Sequence, residues 1–430
     1  MSSSAVEAPA DLPAPSPPER RPLPWPVFWA GLVLGALAGG VYVRQVLADL
    51  GGMMHLLDLS VYRIAGTRIL DGVSVYDTPL AGHTRGEWEF VYAPFAALMF
   101  VPLAKLQGTP FTYTGALGNF ALLALGAWAA LSMLGYRRDL RLAVFSLPLA
   151  GILLWIEPIR QTMAFGQVNI LLMSIVLVDL ALPDRTWAKG VLTGIAAGIK
   201  LTPAFFVLYL IFTRRYRAAA VAVGSFAATV LIGFLAVPHD SATFWSGAFA
   251  DPTRVGVPEN PSNESLRGLF ARTIGLAGGA QLLWLASAAV VALACLLLAR
   301  YLSFSGQELL AVVLCGLATT AVSPYSWVHH WVWLGPLIIY LLHASLGKRA
   351  VGAWIALVLS FAIASGGVLK LFGFEENSIL GYPSFDHFGV VYHNAYIWLT
   401  VVMLVVIAVG LFARRRHTEH TEGMEDVRPA

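Results

Sequence analysis

Residues 187–212 read WAKGVLTGIAAGIKLTPAFFVLYLIF, with Thr213 and then Arg214-Arg215 behind them. The run is apolar except near its start and at Lys200, and it is long enough for a bilayer core, which takes about 20 residues of helix. Runs of this kind recur along almost the whole chain. Apolar segments fall near 25–43, 90–104, 110–134, 140–156, 165–182, 187–212, 217–237, 279–299, 307–322, 331–346, 350–368 and 395–413. Only 12% of the 430 residues are charged and 57% are apolar, where a soluble domain carries roughly 25% charge. With a mean hydropathy of +0.70, the fold class is an all-α polytopic membrane protein of about 12 transmembrane helices.

The flanks agree with that reading. Residues 1–24 form a Pro-rich arm, expected to be disordered, and residues 25–413 form the membrane domain. The chain closes with a tail at 414–430. Arg20-Arg21, Arg214-Arg215-Arg217, Arg300, Lys348-Arg349 and Arg414-Arg415-Arg416 fall on one side under a twelve-helix count, which makes that side, with both termini, cytoplasmic. The loops 45–89, 238–278 and 369–394 are then external. Arg137-Arg138 and Arg141 disagree, falling outside under the same count. The small net charge of +3 lies in short clusters beside apolar runs, which excludes a nucleic-acid partner. Cys295 and Cys315 lie in apolar runs without CxxC spacing, so no disulfide framework or zinc site is indicated. Phosphate-loop, HExxH, GxSxG and DxD motifs are absent.

The first external loop carries the most chemistry. Leu57, Val61 and Ile64 recur at 3 to 4 spacing, predicting an amphipathic helix on the membrane surface, with Asp58 and Tyr62 on the adjoining face. A carboxylate partly withdrawn from water is a candidate general base; a helix cap or a solvated loop acid is the plainer alternative. Lys200 is a candidate phosphate ligand, since an intramembrane ammonium is costly unless paired, against the alternative of snorkelling to the headgroups. Pro203 breaks the helix three residues on. His329 and His330, among Tyr325, Trp327, Trp331 and Trp333, suit a sugar pocket, although Trp and Tyr also belong to any interfacial belt. Arg160 pairs with Glu157 or serves as a further phosphate candidate.

Several blocks then fall in one order: Asp58-Leu-Ser-Val-Tyr62, Asp71-Gly-Val-Ser-Val-Tyr76, Phe90-Val-Tyr92-Ala-Pro94, Gly166-Gln167-Val-Asn169, Lys200-Leu-Thr-Pro203, Asn263-Glu-Ser265-Leu-Arg267-Gly268 and Ser323-Pro324 through His329-His330-Trp331. Over roughly residues 50–345 this set resembles glycosyltransferase family 87. The length, the arm and the position of Asp58 look most like its members in phosphatidylinositol mannoside synthesis. The family pattern often has Gln where this chain has Glu264.

The resemblance implies a GT-C-type bundle in the plasma membrane with an external active site. Asp58 is then the general base of an inverting mannosyl transfer. The donor is polyprenyl-phosphate-mannose, a substrate and not a cofactor, and no metal is implied. The acceptor is a glycolipid, a phosphatidylinositol tetramannoside extended to the pentamannoside in α-1,2 linkage. Tyr62, Tyr92, Gln167, Asn169, Asn263, Arg267 and Trp327 join Lys200, His329, His330 and Arg160 as substrate-binding candidates. The alternatives are a transporter or flippase of lipid-linked sugars and a same-fold transferase using another polyprenyl-phosphate sugar.

Overall fold

A computed structural model of the chain describes residues 20–82, 88–347, 350–366 and 389–425. The expectations for residues 1–19, for most of the 369–394 loop, for Lys348-Arg349 and for the last five residues of the tail lie outside these. In hydrocarbon every backbone N–H and C=O must be satisfied within its own segment, so apolar runs become helices. Among the described residues there is no strand, only the isolated bridges Arg21–Tyr136 and Ala81–Trp88.

The first half comprises α1 (Trp25–Ala48), α2 (Leu57–Leu70), α3 (Pro94–Phe100, continued by a 3-10 turn Val101–Lys105), α4 (Gly108–Met133), α5 (Leu140–Leu153), α6 (Glu157–Phe165) and α7 (Asn169–Leu180). Then come α8 (Val191–Ile199), a 3-10 turn Thr202–Ala204, α9 (Phe205–Phe212), α10 (Tyr216–Ala236), α11 (Pro238–Ser246) and α12 (Leu266–Ile274). The chain ends with α13 (Gly279–Phe304), α14 (Glu308–Val322), a 3-10 turn Val328–Trp333, α15 (Leu334–Ser345), α16 (Val351–Ala364) and α17 (Ala395–Glu425). Among the described residues, five helices are long and apolar enough to cross a membrane: α1, α4, α10, α13 and residues 395–413 of α17. The pair α5–α6, bent by 93°, would make a sixth. These helices expose leucines and valines outward, among them Leu34, Leu235, Leu282 and Val409, the reverse of a water-facing surface.

Contacts gather the basic residues at one end. Arg21 pairs through its backbone with Gly135 and Arg137, and its guanidinium reaches His343 at 2.8 Å. Arg141 donates to the Leu23 carbonyl and lies over Trp25. Arg138 donates to Ala181, and Arg300 to Phe212. Arg215 pairs with Asp184 at 3.1 Å and with Glu308 at 2.7 Å.

Two expected spans are therefore corrected. The 90–104 run is only α3 and its turn, a short apolar piece; the next crossing is α4, which returns Arg137, Arg138 and Arg141 to the end that holds Arg21. The 187–212 run is not one crossing either. Arg215, just beyond α9, meets Asp184, just before α8, so α8 and α9 form a hairpin that leaves and re-enters at the basic end. The backbone breaks because Pro203 has no N–H to continue the ladder and disfavours helix in the residue before it; Lys200 is already extended, at φ −144° and ψ 135°. Lys200 is thus carried at a hairpin tip. A third difference concerns α2. The helix is where the spacing predicts, but Val61, assigned to the headgroup face, is buried, and Gly66 lies against the Phe100 carbonyl of α3.

The hairpin is seated by small residues. Gly190, the N-cap of α8, and Gly194 and Gly198 within it face Ala218, Ala222 and Thr229 of α10, and a Cβ at Gly194 would collide with the Ala222 carbonyl, a close approach of the kind that holds helices together without a hydrophobic driving force. Gly194→Ala is expected to cost roughly 1–3 kcal/mol of stability, read as a lower thermal midpoint in detergent. Gly224→Ala, where nothing among the described residues lies within 4 Å of an added Cβ, should leave the midpoint unchanged or raise it.

Candidate active site

Asp58 sits in the first turn of α2, half-buried at the edge of the bundle. Opposite it is Gln167, in the turn between α6 and α7. The Gln167 Oε1 accepts from Tyr62 at 2.7 Å and lies 2.9 Å from the Tyr92 hydroxyl, and the two hydroxyls are 2.7 Å apart. An amide oxygen committed to phenols leaves the amide N–H₂ as the donating end, and hydrogen bonding from Gln167 is one of the influences that favour the ionised Asp58 carboxylate. Burial pushes the Asp58 carboxyl up to about 6, while the Gln167 hydrogen bond and the nearby Lys200 charge pull it back down. A carboxyl tuned in this way is ionised at neutral pH yet basic enough to take a proton.

Lys200 meets it from the hairpin tip. Its Nζ lies 3.3 Å from Asn169 Oδ1 and 3.0 Å from His330 Nε2. An ammonium has only protons to offer, so Nε2 must be the unprotonated ring nitrogen, a tautomer assigned from the bond. The Tyr92 ring lies 5.4 Å from the ammonium. Both hydrogen-bond partners are uncharged, and the nearby negative charge is that of Asp58. Lys200, Asn169 and His330 line a cavity of about 40 Å³ together with Thr319, Thr320 and Ser326. The site thus pairs a proton acceptor with a cation that has spare charge for an anion.

The remaining candidates divide. His329 is buried beside His330, with its ring against Phe165 and Trp327 at 5.6 and 6.3 Å between centroids; its Nε2 has no hydrogen-bond partner among the described residues. Trp327 also leans on Tyr325. Asn263 is fully buried and acts as a brace, its Oδ1 accepting from the Ser326 N–H and its Nδ2 donating to the Pro258 carbonyl. Arg267 lays its guanidinium over Trp284, 5.5 Å from the ring centre. Arg160 lies near Tyr42 of α1.

Sequence reasoning missed a buried acid pair. Glu264 is held well above the usual carboxylate range by burial and by the neighbouring Glu157, with Arg272 opposing, and Glu157 accepts from the Tyr396 hydroxyl at 2.7 Å. The polar start of α6 after a bend is the one signal that could have found it. Among the described residues no three His, Cys, Asp or Glu side chains gather in a metal-binding group.

Residues 90–324 match the model of glycosyltransferase family 87. The chain is 33% identical over 333 residues, 74% of its length and 76% of the relative's, to the polyprenol-phosphate-mannose-dependent alpha-(1-2)-phosphatidylinositol mannoside mannosyltransferase of Mycobacterium tuberculosis. It is 32% identical over 369 residues to the polyprenol-phosphate-mannose-dependent alpha-(1-2)-phosphatidylinositol pentamannoside mannosyltransferase of Mycolicibacterium smegmatis, covering 84% of this chain and 86% of that one.

Proposed function

This chain belongs to glycosyltransferase family 87, and from that premise we propose that it transfers mannose from polyprenyl-phosphate-mannose to a phosphatidylinositol mannoside. The acceptor is the tetramannoside, extended in α-1,2 linkage to the pentamannoside, and the reaction is an inverting single displacement on the external face of the plasma membrane. The names of the relatives support donor and acceptor class. The observation that carries the chemistry is a desolvated carboxylate, Asp58, beside an ammonium, Lys200, whose hydrogen-bond partners are neutral.

The acceptor hydroxyl must lose a proton as it attacks C1 of mannose, and Asp58 takes it. The C1–O bond to phosphate breaks on the opposite side, and its electron pair stays on the phosphate. That leaving group needs no acid; it needs positive charge, which Lys200 supplies as the negative charge grows. His330 orients the ammonium by accepting from it. The gathering of Arg21, Arg137, Arg138, Arg141, Arg215 and Arg300 at one end supports a cytoplasmic basic end and hence an external Asp58, one α1 length away. The broken α8–α9 hairpin around a charge is a feature that a lipid-linked sugar flippase would share, and transfer chemistry separates the two.

Purified protein supplied with polyprenyl-phosphate-mannose and phosphatidylinositol tetramannoside should yield a product one hexose heavier by mass spectrometry. Asp58→Asn should fold normally and lose roughly 10²–10⁴-fold in turnover; near wild-type turnover in that variant would sink the mechanism. Lys200→Met should raise KM for the donor and lower kcat, because the phosphate is charged in the ground state and gains charge at the transition state. Unchanged donor kinetics would make Lys200 a packing residue.

A further inference from the structure

The residue that opens the catalytic helix breaks local rules. Leu56 is the N-cap of α2, a position that favours Ser, Thr, Asp or Asn, and it makes no side-chain cap hydrogen bond. Its backbone is left-handed, φ 51° and ψ 37°; among the described residues, Arg214 is the only other non-glycine with positive φ. For an L-residue with a Cβ this conformation is disfavoured roughly tenfold. Broken rules of this kind persist where the surroundings over-determine them, and they concentrate at working sites.

Three contacts hold Leu56 there. Its N–H donates to the Ala164 carbonyl at 2.8 Å, and its carbonyl accepts from Ser60 N–H at 2.9 Å. Its side chain is buried, with its methyls against Gly115 and Gly166; a Cβ on those glycines would come within 3.0 and 3.2 Å of a Leu56 methyl carbon. Gly166 is itself left-handed at φ +68°, and a Cβ there would lie 2.6 Å from Leu59 Cβ. Two left-handed turns therefore press together. One lies two residues before Asp58 and the other directly before Gln167, the two partners of the hydrogen bond at the candidate base.

We infer that Leu56 is a positioning residue: its left-handed turn, wedged on Gly115 and Gly166 and tied to Ala164, fixes where the Asp58 carboxylate meets the Gln167 amide. The inference rests on the reading of Asp58 as the general base. The charged and titratable groups that face Asp58 are Lys200 from the hairpin, Tyr62 on its own helix and Tyr92 from the following loop, with His330 behind Lys200; substitution at Leu56 alters none of them.

The test compares full-length Leu56→Ala, Leu56→Gly and Leu56→Asn by kcat, acceptor KM, the pH profile of kcat and the thermal midpoint. Alanine loses the wedge and keeps the steric penalty, so the turn relaxes. Its kcat should fall about tenfold with little change in KM, and the acid limb should move to lower pH as the carboxyl gains water. Glycine and asparagine lose the wedge too, but both tolerate the left-handed region. They should keep kcat within about threefold and hold the acid limb in place. A packing role predicts the opposite order, alanine milder than glycine, because glycine loses more surface and adds chain freedom. That order, or an unmoved acid limb in Leu56→Ala, overturns the inference. Should Leu56→Ala fail to fold, an acid limb displaced in Leu56→Gly or Leu56→Asn would overturn it equally. An Asp58→Asn enzyme that still turns over would instead overturn the reading beneath it.

Discussion

A lysine ammonium inside an apolar bundle is tolerated only where other groups replace its water, and that constraint organises this protein. Lys200 could not sit in the middle of a continuous lipid-facing helix. The chain breaks at that residue, turns at Pro203 and returns, which presents the ammonium at the tip of a hairpin and surrounds it with Asn169, His330 and the Tyr92 ring. The glycine seam between α8 and α10 allows the hairpin to enter closely packed, and the Asp184, Arg215 and Glu308 network ties its base at the basic end.

Asp58 answers from the other direction. It belongs to a helix outside the crossings, and the α6–α7 turn reaches across to it with Gln167. Each group modifies the other: the ammonium favours the ionised carboxylate, and burial opposes it. The outcome is a base and a cation close together yet not joined in an ion pair, each left with capacity for a substrate. Phenols at Tyr62 and Tyr92 occupy the oxygen of the Gln167 amide, which leaves its N–H₂ as the end that can donate to a carboxylate.

Much of this was legible in the sequence, for identifiable reasons. Lys200 stands out because ionisable groups are rare in apolar surroundings; Asp58 lies in a loop with several other acids, and the family resemblance singles it out there, while α2 appears where the 3 to 4 spacing puts it. The hairpin was not legible. A window of about 19 residues averages over 187–212 and sees one span, because the return of the chain is decided by Asp184 meeting Arg215, a tertiary contact. The same averaging made a span of the 90–104 run and displaced Arg137, Arg138 and Arg141. For Asn263 the motif indicates a functional position, but the hydrogen bonds from its two ends to Ser326 and Pro258 are tertiary contacts that no sequence pattern carries. Leu56 carries no signal at all, since its importance lies in a backbone angle.

The central claim, that Asp58 acts as a base whose ionisation is set by burial and by the Gln167 amide, is tested most directly by the acid limb of the pH profile of kcat in Gln167→Leu. The amide hydrogen bond favours the charged carboxylate, so its loss should raise the carboxyl above its position near 6. The base works deprotonated; activity is lost as pH falls through its pKa, and a raised pKa must move that loss to higher pH while turnover in alkaline buffer recovers. An acid limb that stays in place or moves to lower pH would contradict the account.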